Sequence, residues 1–358
     1  MTVVGQIMEA VLSGNYNTDK LAIFMTQTGG CCRASNYVSF IRRALDKTGL
    51  SHIPVISLNF NGMEKNSGFK WKPKFIADIV KAVIYGDLIM KCLYRTRPYE
   101  LIPDSANKLH INLSDMAIDA LTGKKSKIGH KELCQRIVDE FDNLPIDETL
   151  KKPRVGIVGE ILVKYMPLAN NHLVELLEKE GSEAVCPDLI DFFAYTIYNN
   201  HYQADFLGGK KVRHFIADTV LEIIEKLRHP ATAALEGSNR FAPPVPIEEI
   251  AELAKPIISL GNQYGEGWFL TGEMAELLMS GVANIVCIQP FGCLPNHVVG
   301  KGAIKELKRK YPYANITAVD YDPGASEVNQ LNRIKLMLGT AVKNMEVSEN
   351  NKSKQLHN

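Results

Sequence analysis

The sequence predicts an α/β fold in which parallel sheets form two lobes with a helical insertion between them. Three observations point there. Short apolar, β-branched runs end in clusters of Gly, Pro or Asn, amphipathic helical patterns separate those runs, and one long helical stretch interrupts the alternation. Strands buried on both faces read as continuous apolar runs, which suits a parallel sheet covered by helices on each side.

In the first block, MTVVGQIMEAVLSG reads as a short amphipathic helix, LAIFMTQ (21–27) as a buried strand and TGGCCRAS as a loop. NYVSFIRRALDKTG then reads as a helix closed by Gly49, and IPVISLN (53–59) as the next strand. Residues 1–60 therefore form a partial Rossmann-like lobe. Residues 61–150 change character: KFIADIVKAVIYGDLIMKCLYRTRPYE, SDMAIDALTG and HKELCQRIVDEFDNL carry helical patterns, so this stretch is expected to be a helical connecting lobe. The polar, Pro-containing segment 144–154 is the expected boundary, because RVGIVGEILV opens a fresh strand pattern. A second Rossmann-like domain is assigned to 151–345: a strand, a helix (ANNHLVELLEKEG), the strand SEAVCPDL, helices over 190–229 and 247–258, and the helix TGEMAELLMSG. The strand ANIVCIQPFG, the helix KGAIKELKRKYP, the strand NITAVDYDP and a closing helix complete it. That order is the signature of an open, doubly wound sheet. The polar tail 346–358 reads as disordered.

A chain of 358 residues with 46% hydrophobic and 23% charged residues is long enough for two cores. Its net charge of +1 gives no electrostatic reason to expect nucleic acid or an anionic membrane as a partner. Apolar stretches are interrupted by Asp, Lys or Gly before a span accumulates, and no secretory leader is visible, so a cytoplasmic location is expected. Seven cysteines, an odd number without regular spacing, favour reduced thiols or metal ligands over a disulfide framework.

Ligands of open parallel sheets bind at the carboxyl ends of strands, so the loops after the strands carry the candidate chemistry. TGGCCRASNY (28–37) places Cys31 and Cys32 between a strand and a helix amino terminus, where exposed N–H groups lower a thiol pKa. A Gly-rich turn with two small buried thiols is the competing reading. In QPFGCLPNHVVGKG (289–302), Cys293 stands where a sheet-end ligand would, with Asn296 and His297 either contacting that ligand or acting as capping or solvated residues. Cys287, inside IVCI, reads as core, as do Cys92 and Cys134 in helical patterns. Cys186 is a third strand-end thiol, and its alternative is a small core residue. Thiolates from distant loops suit an iron–sulfur cluster, and Cys32 with Cys293 fit that requirement. DYDPGAS offers Asp320 and Asp322 for acid–base work, or else a turn with Ser326 as a helix cap. Arg95, Arg97 and Tyr99 read either as a site for an acidic group such as phosphate or as a solvated helix end. The nucleotide-binding signatures GxGxxG and GxxxxGK[ST] are absent, as are zinc-type CxxC pairs and HExxH.

TQTGGCCRASNY, GDLIMKCLYRTRPYE, VGIVGEILVKYMPLANN, CIQPFGCLPNHVVGKGAIKELKRKYP and VDYDPGASEVNQLNRIKLML together carry a resemblance over most of the chain. The chain resembles the carboxy-terminal region of large acyl-CoA dehydratase activase-related proteins. It is more distantly similar to the cluster-bearing subunits of 2-hydroxyacyl-CoA dehydratases and benzoyl-CoA reductases and to double-cubane cluster proteins. The resemblance implies Rossmann-like lobes, an anaerobic [4Fe–4S] cluster ligated by Cys32 and Cys293, with Cys186 or a residue elsewhere as third ligand, and Asn296 and His297 tuning it. It also implies an ATP-dependent activase as partner, an acyl-CoA-type substrate, and a homo- or hetero-oligomer. The activase modules of the long members have no counterpart here, so the chain reads as a truncated or separately encoded piece. The alternative role is a non-catalytic cluster-binding or docking module of an activase complex.

Overall fold

The computed structural model describes residues 2–27, 33–58, 72–123, 128–322 and 324–355. It is α/β, with one two-stranded and one four-stranded parallel sheet. Helix α1 (Thr2–Leu12) precedes β1 (Ile23–Thr26), α2 (Tyr37–Lys47) and β2 (Val55–Leu58). The two strands run parallel, with Ile23 opposite Val55 and Thr26 opposite Leu58. Val38, Ile41 and Leu45 recur at helical spacing, so α2 turns one apolar stripe onto Ile23, Val55 and Val11.

Three helices follow: α3 (Pro73–Thr96), α4 (Ser105–Thr122) and α5 (His130–Asp142). The remaining elements are β3 (Arg154–Gly159), α6 (Ile161–Tyr165), α7 (Leu173–Lys179), β4 (Glu183–Val185), α8 (Leu189–Phe206), α9 (Lys211–Glu236) and α10 (Ile247–Ala254). After them come α11 (Gly267–Met279), β5 (Asn284–Pro290), α12 (Ile304–Lys310), β6 (Asn315–Tyr321) and α13 (Glu327–Gln355). Helix α13 thus continues into the stretch whose polar composition reads as a disordered tail. No helix among the described residues is long and apolar enough to cross a membrane.

The large sheet has the order β4-β3-β5-β6 with every neighbouring pair parallel. Successive residues of β5 point to opposite faces. Ile285 and Cys287 pack with Leu270, Met274 and Leu277 of α11 and Leu307 of α12, whereas Val286 and Ile288 pack with Leu173 of α7 and Ile334 and Met337 of α13. Both faces are therefore covered, which explains the near-continuous apolar character of β3 and β5. Chain order places β4 on one side of β3, and β5 and β6 on the other. The winding reverses between β3 and β5, the crevice where open α/β sheets receive ligands.

That crevice begins at a forced close approach. A Cβ on Gly159 would lie 1.8 Å from the Ile288 carbonyl oxygen, so only glycine lets the end of β3 rest against β5. Gly159→Ala is expected to push the strands apart and lower stability by about 1–3 kcal/mol. Urea unfolding measures this, and an unchanged midpoint would contradict it.

Helices from both sides of the 144–154 segment share one core. Ile84, Leu88 and Cys92 of α3 and Leu133, Ile137 and Phe141 of α5 pack with Ile190 of α8 and Ile224, Ala231 and Leu235 of α9. Beside this core lies a buried ionic cluster. Arg228 donates to Asp191 at 2.7 Å and to Asp188 at 3.0 Å, and Lys91 reaches Asp188 at 3.0 Å. Asp87 accepts from the Leu189 and Ile190 N–H groups, both at 2.9 Å, and so closes the start of α8 from a different helix.

Candidate functional site

Four buried polar side chains meet at the carboxyl ends of β3 and β5. Glu160 follows β3 directly. Its N–H donates to the Ile288 carbonyl at 3.0 Å and its Oε2 accepts from the Val163 N–H at 2.9 Å, so it caps α6 while staying at the crevice. Glu266 arrives from the loop before α11; its Oε1 accepts from the Ile161 N–H at 3.2 Å and its Oε2 from Asn296 Nδ2 at 2.9 Å. Its position depends on Gly267, where φ is +46° and a Cβ would fall 2.2 Å from both the Asn262 oxygen and Tyr195 Oη.

Cys293 and Asn296 come from the loop after β5. The Cys293 N–H donates to the Pro290 carbonyl at 3.1 Å, and the His297 N–H to the Cys293 carbonyl at 3.0 Å. Residues 296–300 form a π-helical turn, a local widening frequent at functional sites. That turn carries the Asn296 amide to 3.2 Å from Cys293 Sγ. Since a carboxylate can only accept, the group facing Glu266 and the sulfur is the NH2 group. Among the described residues, Asn296 Oδ1 is buried without a hydrogen-bond partner. Burial pushes the Cys293 thiol up to about 11, with Glu266 and Glu160 acting in the same direction and Asn296 opposing. Burial likewise raises the Glu266 carboxyl, against the N–H of Ile161 and the amide of Asn296. Burial beside two carboxylates keeps a free thiol protonated.

The other sequence candidates lie around this centre. Cys32 falls outside the described residues, as does Cys31. His297 is turned to the β6 side of the loop, 3.8 Å from Asp320 Oδ1 and edge-on to Phe291. Asp320 accepts from Gln289 Nε2 at 2.6 Å and pairs with Lys301 at 3.3 Å; burial opposes it, yet these partners hold its carboxyl below the ordinary value. Ser326 Oγ accepts from the Asn329 N–H at 3.4 Å, so it caps α13. Cys186 is buried just past β4. Burial pushes its thiol up to about 12 with Lys164 opposing, and its charged neighbours are Lys164, Glu273, Asp87 and Asp188, none of which surrounds Cys293. Cys92, Cys134 and Cys287 are fully buried in cores.

Under the pocket, Lys164 of α6 and Glu273 of α11 form an ion pair at 2.7 Å, with 0% and 2% of their side chains exposed. Burial pushes the Glu273 carboxyl up to about 7 against Lys164. Although burial opposes it, Glu273 holds the Lys164 ammonium above its ordinary value.

The chain matches no protein-family model, no curated protein and no solved structure. The chemistry of the site therefore rests on its own residues.

Tested against an iron–sulfur cluster, those residues supply one ligand position with its support. Cys293 is the thiol and Asn296 the N–H donor to sulfur, while Glu160 and Glu266 disfavour negative charge there and add nothing to the fit. Cys186 and Cys293 do not join a common group of three metal-ligating side chains among the described residues. Arg95, Arg97 and Tyr99 are engaged internally. Arg95 donates to Glu183 at 2.6 Å and Tyr99 to the same carboxylate at 2.7 Å, while Arg97 grips Glu178 through two bonds of 2.8 and 2.9 Å. The acidic group expected there is the protein's own. Sequence reasoning missed Glu266, whose only local signal is an acidic residue between two glycines ahead of an apolar helix, in YGEGWFL.

Proposed function

We propose that this chain is an iron–sulfur protein of the dehydratase or reductase type, taking a low-potential electron from an ATP-dependent activase and passing it to an acyl-CoA-type substrate. In this reading Cys293 and Cys32 ligate the cluster, the lobe containing β1, α2 and β2 is Rossmann-like and closes on the larger sheet, and Cys186 or a residue elsewhere completes the ligand set. The single observation that carries the proposal is the buried Cys293 thiol at the β3–β5 crevice with the Asn296 amide 3.2 Å from its sulfur.

When bound, a cluster supplies one-electron chemistry that no side chain here provides. The residues do the rest. Asn296 steadies negative charge on Cys293 Sγ, an interaction that tunes cluster potentials. Glu266 fixes the amide so that its N–H groups, not its oxygen, face the sulfur. Because burial and two carboxylates keep the thiol protonated, ligation must release a proton and is favoured as pH rises.

Anaerobic reconstitution with iron and sulfide is expected to give brown protein with broad visible absorption and matching iron and acid-labile sulfide. Cys293→Ser is expected to lose most of that absorption. A colourless, iron-free preparation after reconstitution would sink the proposal and leave the docking-module role.

A further inference from the structure

The α8–α9 hairpin holds a second constellation, different in chemistry from the cysteine site. His201 lies on α8; His214 and Asp218 are four residues apart on α9 and so share one face of that helix. His201 Nε2 stands 2.8 Å from Asp218 Oδ1, and His214 Nδ1 stands 3.1 Å from Asp218 Oδ2. All three ligand atoms lie within 4.8 Å of one another. The imidazoles are stacked, with centroids 4.1 Å apart and planes at 23°.

Hydrogen bonding alone accounts poorly for this arrangement. Among the described residues, the buried His201 Nε2 has no hydrogen-bond partner, because the nearby carboxylate oxygen, although close, does not meet the angles of a ring N–H bond. His214 Nδ1 is hydrogen-bonded to Asp218 Oδ2, so the other carboxylate oxygen is left facing His201 Nε2 without one. One divalent ion is a better answer: it takes a lone pair from each ring and an oxygen from the carboxylate. With metal–ligand bonds of about 2.0–2.1 Å, neighbouring donors around a tetrahedral ion lie roughly 3.3 Å apart, inside the 4.8 Å within which one ligand atom from each residue already falls.

We infer that His201, His214 and Asp218 form a binding site for a divalent transition metal, with zinc the best match to two imidazoles and a carboxylate. His214 and Asp218 are 42% and 47% exposed, so the ion keeps a solvent-facing position for water or an exogenous ligand. The site clips α8 to α9 next to the tight turn at Gly208 and Gly209. It is independent of the iron–sulfur reading.

Chelator-treated full-length chain, free of iron, is titrated with zinc against a chromophoric competitor, and with cobalt for its visible spectrum. The expected result is one zinc per chain whose affinity falls at least about ten-fold in Asp218→Asn and in His214→Gln but not in Cys293→Ser; even loss of an outer-shell partner costs that much. Cobalt in this site is expected to show ligand-field bands without thiolate charge transfer. Zinc should raise the melting temperature of the parent and not of Asp218→Asn, a readout that also shows whether the variant is folded. Zinc binding that is absent from the parent, or equally tight in both variants, or lost only on replacing cysteine, would overturn the inference.

Discussion

Arg228→Met is expected to cost about 3–5 kcal/mol of stability, because it strands buried carboxylates without their cation. Arg228 forks between Asp188 and Asp191, and all three are buried. Lys91 remains for Asp188, so the orphan is Asp191, whose carboxyl is already raised by burial with Arg228 opposing. Without the guanidinium, that carboxyl retains its proton to higher pH. A raised acid contributes stability below its unfolded value and loses it as pH climbs, so the variant should lag the parent least in acid and most above neutrality. Arg228→Lys should fall between the two, since an ammonium cannot span both partners. Urea denaturation at pH 5 and 8 checks this. A loss below about 1 kcal/mol, typical of an exposed pair, would show that the cluster is solvated.

Lys164→Met carries the second large effect. Glu273, held near 7 by burial and its partner, would rise further once the ammonium is gone. The sign follows from the same linkage: the glutamic acid is neutral in both folded and unfolded chains at low pH, but above about 4.5 only the unfolded chain ionises freely. The penalty should reach about 3–5 kcal/mol at pH 8 and shrink by roughly 1.4 kcal/mol toward pH 5, since the parent's Glu273 is itself neutral below about 7. Lys164→Met with Glu273→Met should recover most of it, since an apolar pair of similar volume replaces the charges. A penalty that does not change with pH would mean that packing, not charge, holds α6 to α11.

How far residues alone could foretell these features depends on the distance over which each is specified. Strands β3 and β5 announce themselves as apolar runs ending at Gly159 and Pro290, because burial on both faces is written locally. The loop holding Cys293 and Asn296 is legible for the same reason. The place of Glu266 is not: it meets Ile161, 105 residues earlier, and Asn296, 30 residues later, and no local pattern encodes that meeting. Arg228 sits in a helix whose charges read as a solvated face until α8 brings Asp188 and Asp191 against it. The His201, His214 and Asp218 group needs the hairpin closed before its spacing means anything.

The shared packing of α3 and α5 with α9 bears on how the molecule is born. These early helices emerge during synthesis with an oily flank that finds its cover only after roughly a hundred further residues have been made, at about 5–20 residues per second. For those seconds the nascent chain is sticky, and these helices cannot mature ahead of a segment made after them.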